Sequence, residues 1–240
     1  MYTIERTVAF SETGPDNRIK ITNLLDYYQD VCTFQSEDLG IGTRYLRERG
    51  IGWVASSWQV IVNRYPELDE KIRVGTAPYE FKAAMGMRNF RMETMDGEVL
   101  SVANSIWSMI NIESKMLIRA PKELMETYTL EEKLDMDYAP RKITDPTELT
   151  ALPPVTVQYH HLDSNGHVNN AQYVAIAEDL FPEIRRARQI RVEYRSSARP
   201  GDLIMPYIAH DEAAGTCTIV LADTGSKPYV LIECVTGTVL

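Results

Sequence analysis

The strongest constraint on this chain is that it repeats its own order of elements. A polar turn at 11–17 (SETGPDN) leads into ITNLLDYYQDVCTFQSEDL. There Leu24, Leu25, Tyr28, Val31 and Cys32 recur at helical spacing, with Thr22 or Asn23 at the capping position. A short helix is expected at 43–49, closed by Gly50. Four strand-like runs follow at 53–65, 71–81, 87–95 and 99–112, broken by turn signals at 66–69, Gly86 and Asp96–Gly97. The Asp-Gly step between two alternating runs predicts a hairpin. After residue 150 the grammar returns. A polar turn, LDSNG (162–166), precedes a helix that begins near Asn169–Asn170 and ends at Pro182. Four more runs follow at 188–195, 202–210, 216–223 and 229–240.

This order predicts an α+β fold in which a curved antiparallel sheet wraps a long helix, twice. One such unit of about 110 residues leaves a long sheet edge that a second unit can satisfy, so the two form an internal pseudo-dimer. The expected division is 1–120, a linker at 121–150, and 151–240. The linker is charged, carries Pro121, Pro140 and Pro146, and has room for a short helix at 130–135. Two unrelated α+β domains are the alternative, which the matching element order disfavours.

Composition narrows the function. With 240 residues, 44% of them hydrophobic, the chain can bury a core without covalent staples. Cys32, Cys217 and Cys234 show no CxxC spacing, which points to a reducing, cytoplasmic setting rather than a disulfide framework. No apolar run has the roughly 18 residues that a membrane span needs, and the start lacks a signal-peptide core. The net charge of −9 argues against a nucleic-acid binder.

The densest polar cluster is YHHLDSNGHVNN (159–170), which holds three of the four histidines. It lies where a turn meets a helix start, whose unpaired N–H groups and dipole favour an oxyanion. Asp163, Asn165 and His167 alternate around the Asn-Gly turn. They offer an acceptor, an orienting amide and a group that titrates near neutrality, the parts needed to activate a water. The plainer reading is turn hydrogen bonding by Asp163 and Asn165, with His167 packed under the helix. A metal site at His160, His161, Asp163 and His167 is disfavoured. Adjacent histidines on a strand end diverge, and no helical HxxxH spacing occurs. No metal or other cofactor is expected.

The string LDSNGHVNNAQYVAIAEDLFP resembles the signature of the acyl-acyl carrier protein (acyl-ACP) thioesterase family, with its D-x-N-x-H-V-N-N-x-x-Y core. VEYR (192–195) and NLLDYYQD (23–30) are similar to further segments of that family. The resemblance covers nearly the whole chain. It implies a tandem (double) hotdog fold, hydrolysis of acyl-ACP to free fatty acid, and Asp163, Asn165 and His167 as the catalytic set. Plant members carry a Glu-Cys pair after the VEYR-like strand, where this chain has Ser197 and Ala198. A cysteine nucleophile or glutamate base at that place is therefore excluded. Hydrolysis through water activated by Asp163 with His167 is expected, Asn165 and the N–H groups near 168–170 polarising the carbonyl. Attack by Asp163 itself is the covalent alternative. Asn169, Asp179, Ser196 and Ser197 are supporting candidates.

Setting Thr22 against Asn169 as helix starts places Asp16, Arg18 and Lys20 opposite Asp163, Asn165 and His167. No histidine occurs before His160, so the first copy is expected to supply the acyl pocket instead. Tyr27, Tyr28, Phe34 and Trp58 are its candidates, with Trp53, Met85 and Met87 behind them.

The implied partner, an acyl carrier protein bearing a phosphopantetheine-linked chain, is acidic like this chain, so docking needs a local basic patch. Between 185 and 199 six arginines face one glutamate, and Arg185, Arg186 and Arg188 are the carrier-contact candidates. A solvated connector is the plain alternative. An acyl-CoA thioesterase and a non-enzymatic acyl-thioester sensor remain as alternative functions, and a homodimer as an open assembly.

Overall fold

The computed structural model of the chain describes residues 1–235. The alternating runs of the first half become β2 (Ile51–Val62), β3 (Lys71–Lys82), β4 (Met85–Thr94) and β5 (Val99–Asn111). Gly97, at φ +92°, closes the β4–β5 hairpin in the left-handed region that glycine enters without strain. An unforeseen strand, β1 (Tyr2–Thr7), pairs antiparallel with β3 from Tyr2 opposite Thr76 to Thr7 opposite Lys71. Its polar sequence suits an edge: only Tyr2, Ile4 and Arg6 turn inward, each half-buried. The second half forms β6 (Thr150–Ala151), β7 (Val155–Thr156), β8 (Gln189–Tyr194), β9 (Leu203–Asp211), β10 (Thr216–Ala222) and β11 (Pro228–Val235). The end of the last expected strand, 236–240, lies outside the described residues.

The two halves share one sheet. Its order is β1-β3-β4-β5-β2-β8-β11-β10-β9-β6, with β7 added beside β9. The joint is antiparallel pairing of β2 with β8, Trp58 lying opposite Val192. Each unit thus covers the other's exposed edge.

Helices α1 (Ile21–Asp38) and α4 (Asn170–Leu180) pack in a single core with residues of both halves of the sheet, including Phe90, Val60, Ile190 and Ile232. They run antiparallel: Thr22 reaches Glu178 at 2.7 Å, and Asn170 reaches Gln29 at 3.1 Å. The start of α1 corrects the expected cap. Lys20, whose ammonium offers no acceptor, occupies the cap position without a side-chain bond, and the Thr22 hydroxyl donates across the interface to Glu178. The second helix begins where expected, near Asn169–Asn170, and Asn169 caps it, accepting from the Ala171 amide at 2.9 Å. A two-turn helix, α2 (Thr43–Glu48), follows α1.

The segment between the halves is ordered against the sheet. Its helix is α3 (Lys122–Thr127), not 130–135. Residues 134–143 instead form a strap over the sheet's outer face. Gln59 clamps it, donating to the Asp137 carbonyl at 2.7 Å and accepting from the Ala139 amide at 2.9 Å. Asn89 accepts from the Leu134 amide and the Tyr138 hydroxyl. Ile143 is buried beside Leu231, its amide donating to Glu193 at 2.9 Å. Backbone bonds to outward-facing Asn and Gln side chains replace the helix that 130–135 was expected to form.

Candidate active site

The turn before α4 is built around one carboxylate. Asp163 Oδ1 accepts from the Asn165 amide at 2.8 Å and the His167 amide at 3.2 Å. The Asn165 side-chain amide donates to Asp163 Oδ2 at 3.3 Å. Asp163 N–H donates to the His167 carbonyl at 2.8 Å, and Gly166 takes the tight position at φ +73°. Asp163 and Asn165 therefore meet. The His167 imidazole is half-buried and has no hydrogen-bond partner among the described residues.

The first copy repeats this backbone closely. Short 3-10 turns at Phe10–Glu12 and Tyr159–His161 precede isolated bridges Thr13–Ile19 and Leu162–Val168. Gly14 N–H donates to the Arg18 carbonyl at 2.8 Å, just as Asp163 does to His167. Asn17 takes the positive φ of Gly166. The equivalences are thus Gly14 with Asp163, Asp16 with Asn165, Arg18 with His167 and Lys20 with Asn169. This corrects the expected alignment by two residues, because α1 starts before Thr22. The carboxylate that organises the second turn has only a glycine as its counterpart.

Across the helix seam the site gains partners that the residue pattern did not reveal. Gln29 on α1 donates to Asn169 Oδ1 at 3.4 Å and accepts from Asn170 at 3.1 Å. The Tyr194 hydroxyl donates to the Asn170 carbonyl at 3.0 Å. Gln29 sits inside NLLDYYQD, where a polar residue on the face turned toward a second helix is the only available signal. The amides of Val168 and Asn169 already donate, to the carbonyls of Ala198 and His161, and Ala171 donates to the cap. Among the described residues the Asn170 N–H is the donor left without an acceptor at the helix start.

Of the supporting candidates, Asn169 is the cap. Ser196 donates to the Pro228 carbonyl at 3.1 Å, and Ser197 is exposed beside Ala198, whose carbonyl takes the Val168 amide. Asp179 is exposed near the far end of α4, where its charge acts on His161. His161 is buried, accepts from the Gln158 amide at Nδ1, and is held below its usual pKa by burial and by His160. No group of histidine, cysteine and acidic residues among the described residues has a metal-binding arrangement.

A cavity of about 160 Å³ opens along α1 beyond Gln29, lined there by Cys32, Thr33 and Ser36 and closed by Trp53, Phe81 and Trp107. Met87 also lines it, whereas Met85 does not. Of the named pocket aromatics Trp53 lines it, and the other four lie elsewhere. Tyr28 stacks on Trp58 in the core, Tyr27 is buried with its hydroxyl on Glu12, and Phe34 points to solvent at 42% exposure. Packing, not spacing, decided which aromatics border open space.

The arginine cluster is placed by the connector after α4. Arg185 and Arg188 are exposed, while Arg186 forms an ion pair with Asp16 and also donates to the Ile19 carbonyl. The cluster therefore flanks the turn of the first copy. It lies at the opposite end of α4 from Asp163, about 16 Å along an eleven-residue helix.

One shared sheet, two antiparallel helices and a single Asp-Asn-His turn in the second copy define a tandem hotdog protein with an asymmetric site. The chain belongs to the acyl-ACP thioesterase family, whose N-terminal domain matches residues 1–128 and whose C-terminal domain matches 144–233. It is 26% identical over 225 residues to the chloroplastic palmitoyl-acyl carrier protein thioesterase of Cuphea hookeriana, covering 85% of this chain and 53% of that one. The chain thus spans about half the length of the curated relative it matches. An acyl-ACP thioesterase structure from Bacteroides thetaiotaomicron superposes with a TM-score of 0.87 at 22% identity, covering 98% and 97% of the two chains. The 12:0-ACP thioesterase of Umbellularia californica gives 0.80 at 21% identity, covering 98% and 96%. These likenesses establish the fold. No helix among the described residues is long and apolar enough to cross a membrane.

Proposed function

We propose that this chain hydrolyses the thioester of fatty acyl-ACP and releases the free acid. The observation that carries this reading is the Asp163–Asn165 turn at the start of α4 with its open Asn170 N–H, and a mainly apolar cavity lies further along α1, at Cys32, Thr33 and Ser36. Asp163, assisted by His167, deprotonates a water. The Asn165 amide and the Asn170 N–H receive the charge that develops on the carbonyl oxygen. The thiolate leaves readily, so no cysteine nucleophile is required. Gln29 and Tyr194 hold Asn170 in place, so the first copy supports the site as well as receiving the acyl chain.

Release of free acid from a panel of acyl-ACP substrates tests this. Asp163→Ala should lower kcat by about a hundredfold or more, the span of a lost general base. Full activity of that variant removes the mechanism. No release from any acyl-ACP removes the function, and preferential turnover of acyl-CoA assigns the site to that carrier instead.

The carrier contact belongs to Arg185 and Arg188, with Arg186 holding the first-copy turn through Asp16. Exposed arginines suit an acidic surface and a phosphate. Charge reversal at Arg185 and Arg188 should weaken turnover of carrier-linked substrates while sparing short thioester mimics. Equal loss on both removes this contact. A cytoplasmic location completes the reading, supported by three buried free cysteines.

A further inference from the structure

Arg88 breaks the pattern of its strand. Along β4 the inward positions Phe90 and Met92 are fully buried in the core, and Arg88 continues that face. Only 7% of it is exposed, and it borders the cavity along α1. A charged residue at a position that strand alternation assigns to the interior violates local patterning, and such violations collect at functional sites.

The guanidinium has no counter-ion. Its recorded side-chain acceptor is Gln35 Oε1, 2.7 Å from Nη2, and its carbon lies 5.4 Å from the centre of the Tyr128 ring. Among the described residues no carboxylate lies within ion-pair distance. The nearby acids of α1 are engaged elsewhere: Glu37 accepts from Thr43, and Asp38 accepts from the Tyr2 hydroxyl. The Cys32 thiol lies beside the guanidinium but is no counter-ion: it donates to the Gln29 carbonyl, and burial pushes its pKa up against the opposing pull of Arg88. A guanidinium carries five donors and no acceptor, and burying it unpaired is costly. A saturated hydrocarbon chain entering this cavity brings no acceptor at all.

We propose that Arg88 reads an oxygen function on the acyl chain, so that the cavity selects chains bearing a hydroxyl, oxo or carboxyl group at its depth. From Gln29, at the seam, to Gln35, at the guanidinium, is six residues of α1, or about 9 Å. The recognised oxygen therefore sits well away from the thioester, in the middle or at the end of a medium-length chain. This assignment rests on the reading that acyl-ACP is hydrolysed at the Asp163 turn with the chain lying along α1.

The test compares kcat/KM on medium-chain acyl-ACP substrates of equal length, unmodified or carrying a hydroxyl, an oxo group or a terminal carboxylate. The unaltered protein should prefer at least one oxygenated chain by about tenfold or more, the scale of a hydrogen bond to a charged group. The three arms identify which oxygen is read. Arg88→Met should bring that ratio to one or below, and Arg88→Lys should retain part of it. Equal rates on plain and oxygenated chains in the unaltered protein, as when water alone meets the guanidinium, overturn the assignment while leaving the hydrolytic reading intact. An unchanged ratio in Arg88→Met also overturns it. Absence of release from every chain overturns both together.

Discussion

At the scale of the residue, the Asp163 turn proposed as the active site and its counterpart in the first copy differ by very little. Gly14 and Asp163 occupy the same backbone position with the same hydrogen bond to the residue four further on. Glycine has no side chain to gather the amides of residues two and four ahead, as the Asp163 carboxylate does, so the first turn lacks the charged acceptor on which the proposed chemistry rests. Asp26 offers a different residue-scale consequence. It lies on α1 one turn before Gln29, and burial, then Asp30 and Glu12, push its pKa up to about 6. A raised folded-state pKa means that the folded chain holds the proton more tightly than the unfolded one. Its stabilising effect is complete below the ordinary carboxylate range and is lost as pH rises through about 6. Asp26→Asn should therefore raise stability by about 2 kcal/mol at neutral pH and change it little once pH falls below the ordinary carboxylate range. Denaturant midpoints across that range measure it, and a pH-independent difference contradicts the sign.

At the scale of the element, helix α1 contributes more than a hydrophobic wall. Its apolar stripe packs on the sheet, while Thr22, Gln29 and the Cys32–Ser36 turn face α4 and the cavity in sequence. The strap at 134–143 is the other element whose meaning is tertiary. It has no helix or ladder of its own and is held by side chains of β2, β4 and β8. Gln59→Leu leaves the Asp137 carbonyl and the Ala139 amide without their partner. It should cost about 1–3 kcal/mol and open the strap to proteolysis before the sheet. Cleavage mapped elsewhere first, or unchanged resistance, would argue that the strap is held by packing alone.

At the scale of the whole molecule, pairing of β2 with β8 converts two units into one sheet and one core. Neither half keeps its edge or the facing helix when separated, so unfolding should be a single transition. The chain carries probes for this. Trp53, Trp58 and Trp107 all lie in the first half. Cys217 and Cys234, buried opposite one another on β10 and β11 with sulfurs 2.6 Å apart, lie in the second. Tryptophan fluorescence and thiol labelling of the two cysteines should report the same urea midpoint. Separate midpoints would show that the halves unfold independently.

The repeat, the strands and the D-x-N-x-H-V-N-N turn were readable because each is a local property: alternation, helical spacing and turn chemistry act between residues near in sequence. Local signals also placed the start of the second helix near Asn169–Asn170. They failed where a distant partner intervened. Glu178 took the Thr22 hydroxyl, and Asp16 took Arg186 out of the exposed cluster. The strap's conformation followed from outward-facing Gln59 and Asn89, and the cavity from which side chains failed to meet across α1 and the sheet. Composition and periodicity determined that this chain is two fused units with one polar turn. Only the tertiary structure decided which residues the turn works with, because those partners are brought together by burial and by pairing across the joint between the halves.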